Sequence, residues 1–187
     1  AIINATTALV DFLRLWRDRR GVSAVEFALI APVMLVIYFG LVELCQGYMA
    51  NRRASHTASI VADLVAQADE TSTSDLTSVF AIGDMIMKPF PATDLSIRVS
   101  SVSMDANGVA RVLWSQGNNN DLAPRAPNSP VDDLPSGLIA SGETLILGET
   151  EFIYTTAFGQ IVKKPITFKR SYYLRPRTQD KIVCTDC

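Results

Sequence analysis

The sequence predicts an α+β protein: a long N-terminal helix, a short second helix and a four-stranded antiparallel sheet. Three observations carry that expectation. Residues 22–69 hold no helix breaker stronger than Pro32 and read first as apolar, then as amphipathic. From Leu95 onward the apolar period changes to two. Between these stretches stand polar, cap-forming residues and then a proline cluster, so the two patterns belong to separate elements. The sheet and the amphipathic half of the helix each have an apolar face to cover, and packing one on the other satisfies both.

The first element divides in two. Phe27 to Val42 contains no charged residue, and Val22 to Val42 contains only Glu26. A spanning helix takes roughly 20 largely apolar residues, so residues 22–48 are expected to cross a membrane. A buried core helix is the alternative, but the run lacks the polar face that a surface helix of a globular domain shows. A cleaved secretory signal fits less well. The run is longer than a usual signal core, and the residues past it carry a helical pattern rather than a small-residue cleavage site. Arg14, Arg17, Arg19 and Arg20 precede the run, against Asp11 and Asp18. By the positive-inside rule residues 1–21 form a basic cytoplasmic leader and residues 49–187 a periplasmic head domain with a C-terminal tail.

From Glu43 to Asp69 the helical pattern continues. Leu44, Tyr48, Ala54, Ala58, Val61, Leu64, Val65 and Ala68 recur at three- and four-residue steps, with Arg52, Arg53, His56 and Asp63 mostly off that stripe. Together with the apolar run this makes one helix of nearly fifty residues, ~70 Å long at ~1.5 Å per residue, in which Pro32 is a candidate kink. "ETSTSD" breaks it. A second helix is expected over Asp75–Met87 with Ser74 as N-cap, ended by "KPFP". "DLSIRVSSVSMD" then places Leu95, Ile97 and Val99 on one strand face, and "DANG" supplies the Asn-Gly signal of a tight hairpin. "VARVLWS" is the partner strand. Residues 116–142, rich in Asn, Pro, Gly and Asp, form a long irregular loop. "ETLILGETEFIYTTAF" is the third strand, with a bulge or bend at Gly148, "GQIVKKP" a turn, and "ITFKRSYYLRPR" the fourth strand.

Chemistry-bearing residues are few. The net charge of −2 gives no global basic field for nucleic acid. His56 is the single histidine, no G-x-S-x-G, P-loop or metal-ligand cluster is present, and "SSVSMD" reads as a polar strand face. An enzyme, such as a membrane-anchored hydrolase, is therefore the weakest reading, and neither a cofactor nor a metal is expected. Asp121, Asp132 and Asp133 in the long loop match no defined calcium spacing, and a solvated loop is the simpler reading. Trp114 beside it is either an anchor for a partner or core. His56 reads as a helix-face residue near the membrane surface, beside Arg52 and Arg53. Cys184 and Cys187 form a C-x-x-C pair that lacks the ligands for zinc and the βαβ context of a redox site. We read it as a structural disulfide, with two free or partner-directed thiols as the alternative.

Glu26 at the head of an apolar helix is costly unless it snorkels or meets a cation; a place in the N-terminal turn, where the helix dipole favours it, is the bland alternative. Its neighbours narrow the choice. Gly21 stands five residues before it, behind a basic leader, and Phe27 comes next. This resembles the processing site of type IV prepilins, cut after the glycine by a membrane-embedded peptidase. More closely, "GVSAVEFALIAPVMLVIYFGLVEL", through Gly21, Ala24, Val25, Glu26, Phe27, Ala28, Leu29 and Pro32, is similar to the N-terminal signature of the TadE-like minor pseudopilins of tight-adherence (Tad/Flp) pili. Val22 stands where type IV pilins usually have Phe, and Glu26-Phe27 where major Tad pilins have Glu-Tyr. The resemblance covers about a fifth of the chain. It implies a pilin-like fold and a single-pass inner-membrane precursor that can be incorporated in an extracellular adhesion pilus. It also implies cleavage between Gly21 and Val22, and Glu26 as the residue that pairs subunits. Its implied partners are the prepilin peptidase, other pilins and pseudopilins, and the pilus platform. A membrane-anchored binding or adhesion module outside a pilus is the alternative.

Overall fold

A computed structural model describes residues 21–118, 121–135, 137–156 and 164–187. The expected leader (apart from Gly21) and most of the "GQIVKKP" turn lie outside the described residues. The chain divides into two compact units, Ala1–Leu44 and Cys45–Cys187. In the first, the described residues are the opening of helix α1 (Val22–Ala66), which passes through Pro32 without interruption. Its long apolar side chains, Phe27, Leu29, Leu35 and Ile37 among them, are exposed.

The second unit holds the rest of α1, helix α2 (Thr73–Met87), a 3-10 turn (Ala92–Asp94) and six strands: β1 (Glu70–Thr71), β2 (Leu95–Met104), β3 (Ala110–Gly117), β4 (Thr144–Tyr154), β5 (Ile166–Leu174) and β6 (Val183–Cys184). The main sheet runs β3-β2-β4-β5 and every pairing in it is antiparallel. The fold is therefore the expected α+β arrangement. A short parallel ladder of β1 with β6, which the sequence pattern does not announce, ties the tail to the α1–α2 connection.

The packing of α1 corrects the expected stripe. Leu44, Tyr48 and Leu64 are exposed; from Cys45 onward the buried positions are Ala50, Ala54, Thr57, Ala58, Val61, Ala62, Val65 and Ala66. The reason is proximity. A Cβ placed on Gly148 of β4 would lie 2.7 Å from the Ala58 carbonyl oxygen and 2.8 Å from Ala62 Cβ. The helix lies so close to the sheet that only small side chains fit the contact line, so the larger residues are turned out. This also explains Gly148. The sequence suggests a bulge there, yet pairing is continuous on both sides, with Val99 opposite Gly148 and Gly148 opposite Tyr172. The irregularity falls instead between Ser101 and Val102, against β3.

Local signals place the other elements. Ser72, not Ser74, caps α2: its hydroxyl accepts from the Asp75 amide while the Asp75 carboxylate accepts from the Ser72 amide. The reciprocal capping box satisfies two orphan groups, which Ser74, two positions later, does not. Lys88, preceding Pro89, leaves helical geometry and ends α2 as expected. The β2–β3 connection is a five-residue loop, not a two-residue turn. Met104 pairs with Ala110, and the Asp105 carboxylate accepts from the amides of Asn107 and Val109. Gly108 supplies the positive φ of 77°.

The sheet is covered on both faces over β2, β3 and β4, while the edge strand β5 is mostly exposed. Leu95, Ile97, Val99, Trp114, Ile146 and Phe152 share a core with α1 and α2. Val102, Val112 and Leu147 form a second cluster with Val131 of the long loop. That loop is thus a lid over the second face. The Val112 amide donates to Ser129 O, and the Asn128 and Val131 amides donate back to Val112 and Ala110.

Candidate functional site

Gly21, Val22, Glu26 and Phe27 lie at the start of α1, and all four are exposed. A Cβ on Gly21 would meet no atom within 4 Å. Val22 opens the helix, so Glu26 is its fifth residue and sits beyond the first turn. The helix dipole acts mainly within that first turn, so the N-terminal-turn account of Glu26 does not hold. Glu26 makes no ion pair among the described residues. On a helix it shares a face with Ile30, Val33 and Ile37, and those side chains are exposed too. In Val22–Ala66 the most apolar 18-residue window has none of its residues buried, and the helix is long and apolar enough to cross a membrane. A carboxylate in such a surface has two ways to avoid an unpaired charge in lipid: remain at the interface, or meet a cation from another chain.

The second unit carries an open groove. Tyr48, Arg52, Arg53 and His56 of α1 line it together with Arg170 and Tyr172 of β5. Ser55 and Ser59 flank His56, but among the described residues no carboxylate lines the groove to orient a base. Ser100 and Ser101 of "SSVSMD" are buried, and Ser100 shares a 2.8 Å hydrogen bond with Ser115. They belong to the interior rather than to a polar strand face. Trp114 is core: it is buried and its indole nitrogen donates to Ile182 O at 2.8 Å. The meeting of Arg170 with Arg52 and Arg53, more than a hundred positions apart in sequence, has no local signal.

On the opposite face Glu149 of β4 accepts from Arg98 Nε at 2.8 Å and from Arg125 Nη2 at 2.8 Å. Burial would push this carboxyl up; hydrogen bonds and charge from the two guanidinium groups outweigh it and hold Glu149 below the usual range. Arg125 comes from the lid, and Arg98 also donates to Ala123 O. The triad therefore clamps the lid to the sheet. Asp121, Asp132 and Asp133 do not converge as a ligand set among the described residues.

Cys184, Asp186 and Cys187 bring potential metal ligands together, but the two sulfurs are bonded to each other, with Cα atoms 5.6 Å apart. That leaves no thiolate for a metal. Asp186 instead accepts from the Thr73 amide at 2.7 Å, and hydrogen bonds from Thr73 hold its carboxyl below the usual range. The tail thus anchors on the start of α2. Cys45 is free and exposed.

No curated protein and no solved structure matches the chain. Residues 21–63 match the family model described as TadE-like protein, the family that the Gly21–Pro32 signature resembles, so the chain carries a TadE-like segment over most of α1.

Proposed function

We propose that the protein is a minor pseudopilin or assembly protein of a Tad-type adhesion pilus, inserted in the inner membrane as a single-pass precursor and cut after Gly21 by a prepilin peptidase. The observation that carries this reading is the TadE-like match over a helix whose most apolar stretch has none of its residues buried. A helix so exposed needs lipid or other apolar helices around it. The arginines before Gly21 hold the leader in the cytoplasm, and residues 49–187 fold as the periplasmic head. Gly21 suits cleavage because it offers no side chain to hinder approach to the scissile carbonyl. Water adds there, Gly21 leaves with the leader as a carboxylate, and Val22 gains an amino group. That ammonium, on a neighbouring copy or another pilin, is the cation that Glu26 lacks among the described residues of its own chain. A carboxylate among apolar helices becomes tolerable when the two lie in one layer.

Co-expression with the cognate prepilin peptidase tests the proposal. The expected mature chain begins at Val22 and migrates faster, whereas Gly21→Ala retains the leader. An intact N-terminus in both samples would sink the processing claim.

A further inference from the structure

We propose that the groove between α1 and β5 binds the phosphate of an anionic phospholipid headgroup. The inference rests on the membrane-anchored reading above, which places residues 22–48 in the bilayer. Among the described residues the groove's lining holds three arginines, Arg52, Arg53 and Arg170, and no carboxylate. Two are held in place by neutral acceptors: Arg53 Nη1 donates to Ile86 O at 2.8 Å, and Arg170 Nε and Nη2 donate to Asn51 Oδ1 at 2.9 and 2.6 Å. These bonds orient the guanidinium groups, neutralise none of their charge and leave further N–H groups unused. Arg52 is exposed, and its guanidinium makes no ion pair among the described residues. Convergent arginines with spare donors match a phosphate, whose oxygens accept the guanidinium fork in pairs.

Lipid is favoured over a free anion by position and by the rest of the lining. A hydrocarbon crossing of roughly 20 residues that starts after Glu26 ends near Gln46. Tyr48 lies just beyond, at the level where tyrosines are enriched. Arg52 lies six residues past Gln46, ~9 Å along a helix, within reach of headgroups for a side chain that extends its charge along an apolar stem. Tyr48, Met49, Ile86 and Tyr172 add apolar surface suited to glycerol and the upper acyl chain, which a small anion would not use.

The test uses the full chain purified in a neutral detergent and offered equal amounts of dioleoyl-phosphatidylglycerol and dioleoyl-phosphatidylcholine, with bound lipid counted by native mass spectrometry. The wild type is expected to retain phosphatidylglycerol preferentially. Arg52→Gln is expected to lower that retention about fivefold, and Arg52→Lys, which keeps the charge but not the paired fork, to restore only part of it. Arg52 is exposed and pairs with no carboxylate among the described residues, so near-ultraviolet circular dichroism should match across the three. Equal retention by wild type and Arg52→Gln overturns the proposal. So does displacement of the lipid by 10 mM inorganic phosphate, which would mark a small-anion site, or an arginine-dependent dimer with no lipid preference, which would mark a protein contact. Alkaline extraction of membranes separates the underlying reading: wild-type protein in the supernatant would refute the anchor itself, whatever the lipid result.

Discussion

Between Val22 and Leu44, α1 carries Phe27, Leu29, Ile30, Leu35 and Ile37, all exposed. Between Cys45 and Ala66 the same helix carries alanine at 50, 54, 58, 62 and 66, all buried. On the membrane-anchored reading proposed above, the contrast comes from the neighbour each half must meet. Lipid is a fluid of chains and accepts large branched side chains on every side, with area as the only requirement. A β-sheet is a fixed surface, and a helix that settles onto it closely gains contact only where side chains are small. Gly148 and the Thr150 hydroxyl, which donates to Ala54 O at 3.0 Å, complete that close approach from the sheet side.

The sharpest way to break the comparison is to fill the close contact. Gly148→Val places methyl groups where the Ala58 carbonyl stands, and is expected to cost roughly 3 kcal/mol or more of head stability. Denaturant unfolding of the full chain in micelles, tracked by near-ultraviolet circular dichroism, would show it. The next effect comes from the other face of β4. Glu149→Gln removes the shared carboxylate from two half-buried arginines and is expected to cost about 2 kcal/mol. Because Glu149 is held below its ordinary value, its stabilisation is present above about pH 4.3 and is lost as pH falls through the lower folded value. Limited proteolysis in the lid (residues 121–135) should therefore quicken under acid in the wild type and much less so in the variant. Ser72→Ala should cost about 1 kcal/mol through the lost capping box, read by the same unfolding curve. Smallest of all, Leu35→Ala in the first half should move head stability by less than about 0.5 kcal/mol. A large shift there would erase the distinction between the halves.

Much of the molecule is legible in the sequence because it is local. The charge-free run from Phe27 to Val42, the period-two strands, and the Gly21-to-Glu26 spacing are all short-range patterns. The features that escape depend on distance. Hydrophobicity picks out Leu44, Tyr48 and Leu64 for the helix stripe where size in fact decides. Gly148 resembles a bulge because its reason, α1 overhead, is some ninety residues away in sequence. The long loop reads as solvated because its polar composition hides Val131, Ile139 and the single arginine, Arg125, that clamps it. The cap of α2 is a different case: Ser72 and Asp75 carry the reciprocal spacing, so the local signal for Ser72 over Ser74 is present in the sequence itself.

The difference between the two halves is most directly measured by site-directed spin labelling of the full chain in phosphatidylglycerol–phosphatidylcholine vesicles. Single cysteines would be placed from Leu29 to Leu41 in a Cys45→Ser background. We expect every position to collide with oxygen and to be shielded from a water-soluble nickel reagent, with no dependence on helical face. A 3.6-residue period of nickel access would contradict it, since that pattern belongs to a helix with one face in water.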